Sequence, residues 1–389
     1  MIFWTSFIRK YLIKKPKLTI NKIVFFHPEG NINNNPNLSG IVSLLCEKGW
    51  LVDIVSTQRN DIYQSVPCQN SNMILVNDYF AKNEFKKLCN YFNEKGIPTL
   101  FVGVDRGVIE ASIFARYYGK RYGLLSYEIF YLSETNLGFK KPEIKASRAL
   151  DFVIVQDPVR KDDLTRENRI TTNNFFYVPV APIGPSQALE VKPRYFHRRY
   201  GLDDDIKIAL HIGSIARWSC CDKLLSTLSH WPDKWRLVLH NRYKIDDETM
   251  KFIKRYCSDR RKLIIADKPF DSIYEMSEYI QSADLGIAFY RGIYENASDG
   301  RNIQNIGMSS GKIAIYLQHG VPVAVYGNIE YEKIIRKEGL GMVIDKIEDF
   351  TPVAFDDNTI ARCRGFFDNN LDLRLTLRPW LDFIEKYRS

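Results

Sequence analysis

A lysine in the first turn of a helix is poorly placed unless something negative sits beside it, because the aligned peptide dipoles make that end positive. Residues 309–312, Ser-Ser-Gly-Lys, create this arrangement for Lys312. A short apolar strand, Leu285 to Tyr290, lies upstream across a long polar loop, and His319-Gly320 closes the helix. Serine at a helix start can cap free N–H groups, and glycine just past the end suits a left-handed residue. Ser309, Ser310, Gly311 and Lys312 would together hold an anionic phosphate. An ordinary βαβ unit with a surface lysine fits the spacing equally well.

A second set lies far upstream. The apolar strand from Ile208 to Ile212 runs into Gly213-Ser214-Ile215-Ala216-Arg217-Trp218. Gly213 lets backbone amides face a ligand, and the guanidinium of Arg217 can fork onto a phosphate. Arg217 and Lys312 would then share one diphosphate, unless Arg217 is only a surface ion pair. His240-Asn241-Arg242 ends the next strand. The loop from Arg291 to Gly307 is long for a compact domain, which favours a functional role over filler. It holds Glu295, Asp299 and Asn302, with Tyr290 just before it.

The stretch SSGKIAIYLQHGVPVAV resembles the donor-domain signature of GT-B glycosyltransferases, in particular retaining ones that use nucleotide-sugars. In those families a turn, a lysine and a helix precede Y-L-x-x-G-x-P-V. The resemblance implies an α/β fold of two Rossmann-like, doubly wound domains facing a cleft. It also implies a donor diphosphate at the helix start and retention at the anomeric carbon. His240, Tyr290, Glu295, Asp299 and Asn302 would lie near donor sugar or nucleotide, with Glu295 or Asp299 as the carboxylate that binds sugar hydroxyls. One departure stands out: many relatives carry a glutamate directly before the tyrosine, where it binds the ribose, and here that position is Ile315. The implied donor is a UDP-sugar, used as substrate, with no cofactor and no metal. No D-x-D triad argues for a bound metal, since Asp203-Asp204-Asp205 sits in a linker-like turn.

These residues need a scaffold. At 389 residues, two domains are the natural expectation. Composition is globular, with 45% apolar residues. The division read from sequence is a basic aromatic segment over residues 1–19, an acceptor-binding domain over 20–183, a donor domain over 184–369, and a terminal helix over 370–389 that returns to the first domain. The linker is placed at Ala181-Pro182-Ile183-Gly184-Pro185-Ser186, where Pro and Gly break both periodicities.

Lys22 to His27 reads as a buried parallel strand, followed by a turn, a helix from Ser39 to Lys48, and a second strand from Leu51. This is the opening of a doubly wound sheet, whose ligands gather at the carboxyl ends of strands. That rule selects His27, Glu29, Gly30 and Asn31 after the first strand, and Asp105 and Arg106 after Thr99 to Val104. Glu29, Gly30, Asn31, Asp105 and Arg106 are candidate acceptor contacts, although Asp105 fits helix capping better. Glu128, in an aromatic run after Ser126, could act as a base or bind a sugar hydroxyl, and His27 is the other catalytic candidate.

The net charge of +9 suits an anionic partner. No nucleic-acid motif is visible, so nucleic acid is not expected. No apolar run reaches the ~18 residues of a membrane span. In residues 1–17, apolar and aromatic side chains alternate with lysine and arginine, the charge following the apolar part. That segment either lies on an anionic membrane face or packs on the protein body. The seven cysteines show no C-x-x-C pair and there is no secretory signal, so reduced thiols in the cytoplasm are expected. The expected activity is transfer of a sugar, of hexosyl type, to a glycan or lipid-linked acceptor in cell-envelope polysaccharide synthesis. A GT-B-shaped nucleotide-sugar epimerase and a non-catalytic partner in a glycan-assembly complex are the alternatives.

Overall fold

The computed structural model describes residues 19–28, 35–57, 68–77, 82–189, 191–241, 245–266 and 273–388. Residues 1–17 and Glu29, Gly30 and Asn31 lie outside the described residues. The chain divides into two units, Met1–Val178 with Thr376–Ser389, and Pro179–Leu375.

Unit 1 alternates strands and helices: β1 (Thr19–His27), α1 (Pro36–Glu47), β2 (Leu51–Thr57), β3 (Ser71–Val76), α2 (Lys82–Lys95), β4 (Ile97–Val104), α3 (Val108–Tyr118), β5 (Arg121–Leu125), α4 (Leu137–Ser147), β6 (Phe152–Val155), α5 (Pro158–Asn168) and β7 (Phe175–Tyr177). The strands form one parallel sheet in the order β3-β2-β1-β4-β5-β6-β7. β4 and β6 are buried along their whole length, as strands covered on both faces must be. The apolar cluster over one face is built from Phe26, Phe85, Phe92, Phe101 and Phe114.

Unit 2 continues with α6 (Tyr195–Tyr200), β8 (Lys207–Ile212), α7 (Cys221–Ser226), β9 (Trp235–His240), α8 (Asp247–Tyr256), β10 (Leu263–Ala266), α9 (Ile273–Gln281), β11 (Leu285–Phe289), α10 (Arg301–Gln304), α11 (Gly311–Gln318), β12 (Val323–Tyr326), α12 (Ile329–Glu338), β13 (Gly341–Val343), α13 (Asp357–Asn370) and α14 (Leu373–Thr376). Its parallel sheet runs β10-β9-β8-β11-β12-β13. One face packs on Ile313, Ala314 and Leu317 of α11, the other on Leu224 and Leu225 of α7. The last helix, α15 (Arg378–Glu385), belongs to unit 1, where Trp380 and Phe383 pack on Phe152.

In each sheet the strand order reverses once, between β1 and β4 and between β8 and β11. Such a reversal opens a crevice at the carboxyl ends of the strands, the place where ligands of open α/β sheets bind.

One expectation is corrected here. Cys46 of α1 and Cys68 are joined in a disulfide, so the seven thiols are not all reduced; Cys89, Cys220, Cys221, Cys257 and Cys363 are free. The partners lie 22 residues apart, and tertiary structure brings them together, which a search for closely spaced pairs does not register. Among the described residues no helix is long and apolar enough to cross a membrane.

Candidate functional site

At the β8/β11 reversal Gly213, His240, Tyr290, Ser310 and Lys312 come together. β8 ends at Ile212, and Gly213 follows with φ +105°, a conformation that side chains resist. Its N–H donates to the carbonyl of His240, 3.0 Å away at the end of β9. A Cβ on Gly213 would lie 3.7 Å from Lys312 Nζ, so the lysine tip rests beside this turn. Lys312 Nζ is also 5.2 Å from the ring centre of Tyr290, the residue after β11.

The helix carrying Lys312 is fixed to the sheet by Tyr316. Its hydroxyl donates to Leu210 O at 2.7 Å and accepts from Ile212 N at 3.1 Å. Its ring lies over Gly286, where a Cβ would be 2.5 Å away. The turn before the helix is tied down as well: Asn328 Nδ2 donates to Gly307 O at 2.9 Å, and Val180 N donates to Met308 O at 2.9 Å.

Ser310 stands at the N-cap of α11 but does not cap it. Its hydroxyl is hydrogen-bonded to the hydroxyl of Tyr290. This corrects the expected capping role. Burial raises the Tyr290 phenol, so it stays protonated.

Behind the Gly213 turn, His211 Nε2 contacts Ser214 O at 3.2 Å and Cys221 Sγ at 3.4 Å. Burial, helped by the charge of Lys312, holds the imidazole well below its usual range, and burial raises the Cys221 thiol. A neutral thiol beside a neutral imidazole is a packing contact, not an activated nucleophile. The sequence reading missed this support, although His211 is two residues before Gly213.

Arg217 and Glu295 bind each other: Nη1 donates to Oε1 at 2.7 Å. Trp218, next to Arg217, stacks on Tyr290 at 6.5 Å between centres. Asp299 is buried, and its two oxygens accept from the N and Nδ2 of Asn296, both at 2.8 Å. Asn302 is buried and donates to Ser298 O at 3.3 Å. His240 is buried against Tyr279, 5.1 Å between ring centres. Glu295 is therefore the loop carboxylate on the surface, and Asp299 braces the loop from inside. Ser309 lies in the short turn before α11, its N–H donating to Ile306 O at 2.9 Å.

In unit 1, His27 ends β1 and is buried. Asp105 follows β4 at φ +48° and caps no helix, contrary to expectation. Its Oδ1 instead accepts from the amides of Tyr127 at 2.5 Å and Glu128 at 2.8 Å. Arg106 donates to Phe139 O at 2.9 Å and covers the Phe139 ring at 3.6 Å. Three residues the sequence reading missed complete the arrangement. Buried Arg160 donates to Tyr127 O at 2.6 Å and to Gln156 Oε1 at 2.9 Å, Gln156 donates to Ser126 O, and Asn37 Oδ1 accepts from the Tyr127 hydroxyl at 2.8 Å. Glu128 is thereby held half-buried just past β5. Among the described residues no group of three or more His, Cys, Asp or Glu is placed to hold a metal ion.

Two doubly wound parallel units in one chain, each with its crevice at the strand reversal, make up the GT-B architecture. Solved structures of that architecture match the chain nearly end to end. Anabaena Alr3699/HepE, solved in complex with UDP and glucose, matches with a TM-score of 0.68 at 9% identity, covering 94% of this chain and 99% of its own. A glycosyltransferase from Rickettsia africae matches with a TM-score of 0.65 at 14% identity, covering 95% and 98%. A putative UDP-N-acetylglucosamine 2-epimerase from Listeria monocytogenes matches with a TM-score of 0.56 at 10% identity, covering 95% and 97%. At such identities the likeness is one of fold. No protein-family model matches the sequence, and no curated protein matches it.

Proposed function

We propose that the chain is a glycosyltransferase that moves a sugar from a nucleoside-diphosphate sugar, a UDP-sugar first among them, to a glycan or lipid-linked acceptor of the cell envelope. The observation that carries this reading is the meeting of Lys312, the Gly213 turn and the start of α11 at the strand reversal of unit 2. Departure of the diphosphate builds negative charge. Lys312, the helix dipole and Arg217 would stabilise that charge where it develops. With these cations in place the reading asks for no metal. HepE, solved with UDP-glucose on the same fold, supports a nucleotide-sugar as donor. Retention is the expected stereochemistry; for an inverting transfer, Glu128 and His27 are the candidate bases. Residues 1–17 would rest on an anionic membrane face.

Ile315 favours a second reading. It packs against the apolar core at the helix position where a ribose-binding acid is expected, as suits a non-catalytic partner that binds no nucleotide. Calorimetric titration with UDP, GDP, CDP and ADP, repeated on Lys312→Ala, decides between the two. Selective binding that is lost in the variant supports the transferase. A folded sample that binds none of the four rejects it.

A further inference from the structure

The pairing of Arg217 with Glu295 joins two residues that the donor site would otherwise use separately. Both side chains are 53% exposed, so the pair can open without a large rearrangement. The backbone under each is held. Arg291 donates to the Arg217 carbonyl at 3.3 Å and to both oxygens of Asp222 at 3.1 and 2.9 Å. On the other side, Tyr294 takes a left-handed conformation, φ +58°, and Asn296 is clamped by Asp299. Glu295 sits between these two anchors and faces Arg217.

The positions across the site follow in series. Lys312 lies beside Tyr290, Tyr290 stacks on Trp218, and Arg217 is the next residue. One phosphate at the start of α11 can be held by Lys312 alone. A ligand that extends on to Arg217 meets a guanidinium already neutralised by a carboxylate. The two anions repel each other and compete for one fork of donors.

We propose that Glu295 is an affinity-limiting residue of this site: it occupies Arg217 as a built-in carboxylate, which the second phosphate of a nucleoside diphosphate has to displace. The inference rests on the reading of this site as a nucleoside-diphosphate site. Glu295 thus holds down affinity for the diphosphate and leaves a single phosphate on Lys312 unaffected.

The test is calorimetry with whichever of UDP, GDP, CDP and ADP binds the native protein, together with its monophosphate. Glu295→Gln keeps the side-chain shape and removes the charge. The diphosphate is expected to bind Glu295→Gln about two- to five-fold tighter, the range spanned by an exposed ion pair. The ratio of diphosphate to monophosphate affinity should rise by the same factor. In an Arg217→Ala background, Glu295→Gln should give no further gain. Unchanged or weaker diphosphate binding by Glu295→Gln overturns the inference, as does an equal gain for the monophosphate. If the native protein binds a diphosphate and Lys312→Ala abolishes it, such a result leaves the site reading standing. If no diphosphate binds the native protein, the site reading fails and takes this inference with it.

Discussion

The carboxyl ends of the two sheets hold similar residue types in different states. At the unit 1 reversal the polar side chains are engaged with backbone. Asp105 receives the amides of residues 127 and 128, Arg160 holds the Tyr127 carbonyl, and Arg106 covers Phe139. At the unit 2 reversal, Lys312 leans on a glycine turn and an aromatic ring, and Arg217 is half-exposed on a single carboxylate. Buried polar groups that satisfy one another build a rigid frame. A half-exposed cation such as Arg217 is one that a ligand can reach. The contrast is between a set closed on the backbone and a set with a half-exposed cation, Arg217.

The most forceful way to break the contrast is Asp105→Ala. Removing this acceptor leaves two backbone amides without it, at about 1–3 kcal/mol each. Chemical denaturation should report a loss of roughly 2–6 kcal/mol, while Asp105→Asn, which keeps an acceptor oxygen, should lose much less. Equal losses in the two variants would mean that the carboxylate charge, not the amide contacts, matters. Next is Lys312→Ala. A charge-assisted contact to phosphate is worth about 1.5–3 kcal/mol, so diphosphate affinity should fall roughly ten- to hundred-fold with little change in the thermal midpoint. If the midpoint falls and affinity holds, the lysine belongs to the frame.

A smaller effect concerns pH. His211 and His319, both in unit 2, are buried and held below the ordinary imidazole range, burial being the main cause in each. The unfolded chain takes up protons near pH ~6.5 while the folded chain resists them. Their contribution to stability is therefore complete above about 6.5 and is lost as pH falls below it, at up to ~1.4 kcal/mol per pH unit for each. Thermal melts between pH 7 and 5 should show the decline, and His319→Gln should make it shallower. A slope unchanged by that substitution would place the proton uptake elsewhere.

The alternation of strands and helices was legible because apolar runs and glycine stops are local signals. Lys312 and Gly213 stood out for the same reason, as each is odd in its own neighbourhood. The partners of Asp105 could not be read. They depend on β4, β5 and β6 becoming neighbours, and nothing near Gln156 or Arg160 in sequence points to residues 126–128. The Cys46–Cys68 bond is hidden in the same way. Helix α13 carries only Thr359, Cys363 and Phe367 on its buried side, too thin a stripe to stand out in the sequence. The pairing of Glu295 with Arg217 joins two residues 78 apart in sequence, and nothing local to either names the other.

The uncapped start of α11 bears on attempts to make this protein more heat-resistant. Filling an N-cap with aspartate is a routine stabilising substitution, worth about 1 kcal/mol. At Ser310 it would break the link to Tyr290 and set a fixed negative charge where the phosphate is proposed to sit. Ser310→Asp should leave the thermal midpoint level or raised and weaken nucleoside-diphosphate binding, as differential scanning fluorimetry beside calorimetry would show. A design scheme that scores stability alone would choose this substitution and discard the function with it.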